Sequence, residues 1–374
     1  MVRSFQGFNQ PVQRGRMDSG IDHLEQAPCF VLDSDRVEIG DVILTSEHQL
    51  RSKGIRAVTL SDYSHAMICV GYSSYIHAVG PGVEVANPQR EGFDRSDRVC
   101  VLRYVGDDRE ILAKRAAGFA RTLVGMEYSV PDALASKIAV LRKALTNRQY
   151  CSRLVAQAYV HAGVALVRDP DFCSPEDLYQ SKHLAVVPNC LREANEVDRH
   201  LIQEERERAK WKGSEGSPLK DQAKMIKLHF EEARAITGLD LQTSEQIYRH
   251  LMLDDTHDRA LSESLERSGY LTLWRVDVEK NPWRYDASVL LSMGLSDQQL
   301  GDVAARELKM AEQAIERYAQ NASAILQMLQ VADRNYFRLE QALYTHLCQL
   351  HSIRLAAAKM ALAFVHRDGK ASEE

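Results

Sequence analysis

Between Gly40 and Tyr104 no apolar run is longer than a short strand, and after Asp107 the apolar period changes, a switch that limits the fold more than any other feature of the sequence. Asp41–Thr45, Tyr63–Val70, Tyr75–Val79, Val83–Ala86 and Val99–Tyr104 read as strands punctuated by Gly, Pro, Ser and Asn. Connections this short build a small antiparallel sheet. Beyond Asp107, residues Ile111, Leu112, Phe119, Leu123 and Val124 recur at helical spacing, and Gly125 closes the helix. A second helix is expected from Pro131. A third is expected at or just before Cys151, running CSRLVAQAYVHAG to Gly163 with Leu154, Val155, Ala158 and Tyr159 as its buried stripe. Strands followed by helices in one stretch of chain make this half an α+β domain.

After Cys190 the segments become long, charged and poor in proline. Leu191–Lys212, Leu219–Thr237, Ser244–Leu253 and Asp297–His366 read as helices, the last broken near Ala332–Asn335, with GSEGSP (213–218) as a linker. The two final segments have apolar positions every three or four residues and should form an antiparallel hairpin within an all-α bundle. Between them and the earlier helices, LTLWRVDVEKNPWRYD (271–286) reads as an irregular stretch that folds back on the first domain through Trp274 and Trp283. At 374 residues the chain exceeds one ordinary core. The expected division is an extension over 1–37, an α+β domain over 38–190 and a helical bundle over 191–374.

Composition removes several function classes. With 47 basic and 52 acidic residues the net charge is −5, so nothing draws the chain generally toward nucleic acid or anionic lipid. The stretch MVRSFQGFNQPVQRGRMDSG lacks the apolar run of a signal peptide or a membrane span. Seven scattered cysteines without a CxxC pair argue for reduced thiols in a cytoplasmic setting, against a disulfide framework or zinc ribbon. Delivery by a specialised secretion system stays compatible with such a sequence.

The chemistry concentrates in three residues. YSHAMICVGYSSYIHAV places His65 and His77 on two neighbouring strands. With a three-residue loop between them, both imidazoles fall on one face, directly opposite or one diagonal step apart, whereas a slip of one residue separates them. Such a pair can take a proton and hold the right tautomer. RQYCSRLVAQAY supplies a thiol, Cys151, at the start of an amphipathic helix, where backbone N–H groups and the helix dipole stabilise a thiolate and can hold an oxyanion. Tyr150, Ser152 and Arg153 flank it, and an arginine at the entrance would attract an acidic substrate.

GDVIL (40–44), SHAMICVG (64–71), YIHAV (75–79), VLRY (101–104), Gly125–Tyr128 and YCSRLV (150–155) together resemble the permuted NlpC-type papain-like hydrolases, which include YiiX-like peptidases and, more distantly, lecithin retinol acyltransferase-like enzymes. The resemblance covers about 38 to 185. It implies Cys151 as nucleophile, His65 as general base and His77 as the third, orienting residue, with no cofactor. Histidine at position 77 resembles the acyltransferase-like branch, while YCSxLV resembles the YiiX-like branch, with Arg153 where glutamate is common. The implied activity is a cysteine hydrolase, an amidase or peptidase acting through an acyl-enzyme. The runner-up is a lipid acyltransferase or phospholipase, and the third reading is a non-catalytic protein that binds partners through its helical half. Substrates are accordingly a peptide, an amide or an acyl lipid.

Glu84 and Asp62 stay open as alternatives to His77. Of His346, Cys348 and His351, the two histidines differ by five positions, which does not place them on one helical face, so the group reads as ordinary helix surface rather than a metal site. VGPGVEV reads as a turn, and Cys69, Cys100 and Cys173 as core. QEERERAK (203–210) reads as a solvated helix face.

Overall fold

The computed structural model describes residues 29–46, 62–71, 74–87, 91–128, 149–196, 198–199, 202–203 and 218–371. The helix expected from Pro131, the charged run after Gln203 and most of the linker before Pro218 lie outside them.

Among the described residues eight strands are formed: β1 (Phe30–Leu32), β2 (Val42–Thr45), β3 (His65–Gly71), β4 (Ser74–Val79), β5 (Gly82–Ala86), β6 (Val99–Tyr104), β7 (Leu184–Val186) and β8 (Leu191–Glu193). β2 to β7 make one antiparallel sheet in the order β5-β4-β3-β2-β6-β7, and β1 pairs with β8. Both faces of the large sheet are covered. Val42, Leu44, Ala66, Ile68, Val70, Ile76, Ala78, Cys100 and Leu102 point toward helices α1 (Arg109–Thr122) and α2 (Cys151–Ala162). Ile43, Met67, Cys69, Tyr75, Val99 and Val101 pack the other way, against Leu32, Val37 and Cys190. Double burial explains why VILT and AMICVG are nearly continuous apolar runs rather than clean alternations.

Gly40-Asp41 is the joint of this region. Gly40 has φ +88°, and a Cβ there would meet the Ala113 Cβ at 2.5 Å, so only glycine lets α1 approach. The Tyr159 hydroxyl on α2 donates to the Gly40 carbonyl at 2.7 Å. Asp41, 1% exposed, accepts from Arg103 Nε and Nη2 at 2.8 and 2.7 Å and from the Glu38 amide at 2.8 Å. Removing one partner of such a buried pair costs about 3–5 kcal/mol.

Further helices follow: α3 (Pro175–Tyr179), α4 (Pro218–Thr237), α5 (Ser244–Leu253), α6 (Asp258–Arg267), α7 (Trp274–Lys280), α8 (Ala287–Leu291), α9 (Asp297–Val331) and α10 (Asn335–Ala371). α9 and α10 pack along each other, and the break between them falls where the sequence placed it. A capping box at Ser296 starts α9. Phe337, Tyr336, Ile247, Leu251, Leu261 and Phe230 form the centre of this second core.

Three expectations need correction. Leu191–Glu193 is a strand, not the start of a helix, because its backbone pairs with β1. The stretch 271–286 is largely helical and stays within the helical region: Trp274 lies 4.1 Å from the His346 ring, and Trp283 packs in a cluster with Leu290 and Leu300. His346 and His351 are not surface residues. His346 Nε2 and His351 Nδ1 are buried, and His351 stacks on Tyr318 at 5.4 Å.

The two regions meet where α4 crosses β5. Gly125 N donates to Val83 O at 2.9 Å and Val83 N to Met126 O at 2.9 Å, so residues 125–126 lie along β5. Ile226 and Phe230 of α4 close over Gly125. Lys227 Nζ donates to Pro81 O at 3.0 Å, and Arg234 Nη2 to Glu127 Oε1 at 2.8 Å. Among the described residues no helix is long and apolar enough to cross a membrane.

Candidate active site

The two histidines meet because of a local irregularity. Gly71 pairs with Ser74, an odd position against an even one, and carried along the strands this register would put His65 and His77 on opposite faces. A shift between Cys69 and Gly71 corrects it, and Cys69 then pairs with Tyr75 and Ile68 with Ile76. Continued, that register sets His77 across from Met67, one diagonal step from His65. The extra residue of the bulge does the work assigned to a longer loop. His65 Nε2 and His77 Nδ1 are 2.9 Å apart, with the rings edge-on at 70°. Glu84 faces His77 directly on β5, so Glu84, His77 and His65 form one row across three strands. Asp62 is exposed, and its carbonyl accepts from the Ser46 hydroxyl.

Burial, reinforced by the neighbouring His77, pushes the His65 pKa down to about 3. The ring is therefore neutral at ordinary pH.

Cys151 is the first residue of α2. Tyr150, extended at φ −139° and ψ 167°, precedes it without a side-chain cap. Leu154 N, donating to Tyr150 O at 3.0 Å, begins the helical ladder. Cys151 is 9% exposed. The direction of α2 follows from its two ends. Tyr159 reaches Gly40, whose amide bonds Cys69 O, so the C-terminal half lies over the far end of β3. At the head, Ser152 Oγ donates to Cys173 O at 2.8 Å, and α3 beyond Cys173 sets Tyr179 against Tyr63, two residues before His65. Thiol and imidazoles thus share one end of the sheet. Strand alternation groups His65 with Met67 and His77 with Tyr75, on the face of the sheet opposite to the one α2 covers.

The flanking residues anchor the helix head. The Tyr150 hydroxyl donates to Asp171 O at 2.8 Å. Arg153 corrects an expectation: it is 5% exposed, and its Nε lies 3.8 Å from Asp171 Oδ1, so its charge is turned inward rather than offered at an entrance. Gln157 Nε2 donates to the same carboxylate at 2.7 Å. Asp171 is thus the hub that sequence reasoning missed, since nothing in RDPDF marks it as a partner for a helix about twenty residues earlier. Burial pushes other thiols up, Cys69 to about 12 and Cys190 to about 11, with Cys100 and Cys173 also raised. Among the described residues no group of three metal-ligating side chains lies here.

An antiparallel sheet whose histidine-bearing strands precede a helix headed by cysteine defines a papain-like fold in permuted order. Residues 36–188 match the family model described as "Permuted papain-like amidase enzyme, YaeF/YiiX, C92 family", so the resemblance read from the sequence holds over that segment. The chain is also similar to the crystal structure of metalloprotein yiiX from Escherichia coli O157:H7, DUF1105, at 20% identity over 41% of this chain and 97% of that one, with a TM-score of 0.32. No curated protein matches the chain.

Proposed function

We propose that residues 36–188 form a cysteine hydrolase that cleaves an amide or isopeptide-like bond, with Cys151 as nucleophile, His65 as base and His77 as the residue that orients it. The observation that supports this reading furthest is the His65–His77 hydrogen bond at Nε2. When Nε2–H donates to His77, the lone pair of His65 sits on Nδ1, the nitrogen that would take the thiol proton. The thiolate attacks the carbonyl carbon, and the C–S bond forms as the oxyanion develops near the uncapped head of α2. The C–N bond then breaks, and the leaving amine takes the proton from His65. Water attacks the thioester, giving a proton to His65; the C–S bond then breaks, the carboxylic acid leaves, and the thiolate takes that proton back from His65. Tyr150, Ser152 and Arg153 hold the helix head through Asp171 and Cys173, a support role in place of direct contact with substrate.

A second reading rests on His77 itself, since histidine there is similar to the acyltransferase-like branch; an alcohol or amine acceptor would replace water, and acyl lipid would replace peptide. In either case the helical region is proposed as a partner-binding module. Seven cysteines, none of them in a disulfide, support a reducing, cytoplasmic setting.

Intact-mass analysis after brief exposure to a thiol-reactive probe tests the site. One adduct at Cys151, lost in His65→Ala, is expected, because burial keeps the core thiols protonated. Uniform slow labelling of every cysteine would sink the enzyme reading and leave the partner-binding one. Peptide libraries against acyl-lipid vesicles with added amine then separate hydrolase from transferase.

A further inference from the structure

The corner between α5 and α6 gathers three groups that the proposed hydrolase does not use. His250 lies in the last turn of α5, Asp254 ends that helix, and His257 precedes the first residue of α6. His250 Nε2 and His257 Nδ1 are 3.0 Å apart. One ligand atom from each of the three residues lies within 4.8 Å of the others, and among the described residues no other group of this kind occurs. The carboxylate is held in place: Asp254 Oδ1 accepts from the Thr256 amide at 2.9 Å and from its hydroxyl at 2.6 Å.

We propose that His250 Nε2, His257 Nδ1 and a carboxylate oxygen of Asp254 bind one divalent transition-metal ion, Zn²⁺ foremost. Two imidazoles and one carboxylate suit Zn²⁺, Co²⁺ or Ni²⁺ rather than Ca²⁺ or Mg²⁺, which take oxygen ligands. With metal–ligand bonds of about 2.0–2.2 Å, ligand atoms of a tetrahedral site lie about 3.3 Å apart. The imidazole nitrogens need to part by only a few tenths of an ångström, the ion taking the place of the proton they share. Three protein ligands leave the fourth position to water, in keeping with the exposed Asp254 and half-buried histidines.

The ion would act as a staple. The same corner seats the start of α10: Arg334 Nε donates to Leu251 O at 2.9 Å, and the Asn335 and Tyr336 amides donate to Asp258 at 2.8 and 3.0 Å. Fixing α5 to α6 therefore fixes the floor on which the long hairpin stands, independently of Cys151.

The test uses the full chain with its thiols reduced. Equilibrium dialysis against micromolar Zn²⁺, read by elemental analysis, should give one equivalent in the wild type and in Cys348→Ser, none in His257→Ala, and at least tenfold weaker binding in Asp254→Asn. Co²⁺ should give visible d–d bands without a thiolate charge-transfer band, and Zn²⁺ should raise the melting temperature of the wild type and of Cys348→Ser but not of His257→Ala. If His257→Ala fails to fold, His257→Gln takes its place. A wild type that binds no ion, an equivalent retained by the folded His257 variant, or a thiolate band on the bound Co²⁺ overturns the proposal and leaves a plain imidazole–imidazole hydrogen bond.

Discussion

Both regions bury titratable groups, and they do so differently. In the helical region His229 spends both ring nitrogens, on Ser264 Oγ and Tyr336 Oη, each at 2.9 Å. Glu340 is buried nearby, hydrogen-bonded to Tyr248 in an environment that includes Tyr270, Tyr336 and Tyr344. Burial lifts the Glu340 carboxyl to about 8 and pushes His229 to about 4, so both are neutral inside the core. In the sheet region His65 is just as strongly perturbed, and it spends one nitrogen on His77. A shifted titration therefore does not by itself distinguish chemistry from architecture. What differs is the partner: His229 is tied by both ring nitrogens into the helical core, whereas the ring hydrogen bond of His65 goes to a second histidine.

The sharpest way to break this contrast is Cys151→Ala, expected to lower amide hydrolysis by about 10⁴-fold or more while leaving the thermal midpoint nearly unchanged. Activity retained by that variant in a steady-state assay would end the distinction. The converse is Phe337→Ala in the helical core, which should cost about 3–5 kcal/mol in denaturant unfolding yet leave Cys151 labelling intact in the chains that remain folded. His77→Asn tests orientation within the site: kcat/KM should fall about 10²-fold with a displaced pH profile, whereas an unmoved profile would point to Glu84 instead. The smallest effect concerns Glu340. Its folded-state pKa is raised from 4.5 to about 8, so its contribution to stability is full below 4.5 and is lost as pH rises toward 8. Glu340→Gln should flatten that alkaline decline, by at most about 1.4 kcal/mol per pH unit. His65 and His229 carry the opposite sign: their pKa values are lowered, so their share is present above 6.5 and lost as pH falls toward 4. Urea midpoints across pH 4 to 9 would show both limbs.

The sequence made the sheet legible because each strand is bounded by turn formers, and β2 to β6 fall within two residues of their expected ends. The same holds for the hairpin, whose break at Ala332–Arg334 interrupts an otherwise unbroken helical period. The histidine pairing was legible only in part. Parity put both rings on one face if the loop had the right length, but the bulge that actually sets the register leaves no mark in VGYSS. β1 and β8 were invisible, since three-residue strands carry too little pattern and their partners are far apart in sequence. They lie just outside the two expected boundaries of the sheet domain. Arg153 misled because a lone arginine reads as exposed; its partner Asp171 comes from a loop that local periodicity does not reach. The corner at His250 was equally silent, because its three ligands bridge a helix end and a turn.

The seam along β5 has a consequence for how this chain can be handled. β5 is the outermost strand, and its remaining backbone partners come from residues 125–126, which α4 covers. Excising the hydrolase-like segment at its family limits would strip that cover and bare a row of amides and carbonyls ready to template sheet growth between copies. Recombinant fragments ending near residue 190 should therefore self-associate, and the helices that look dispensable to catalysis serve the fold as its guard against aggregation.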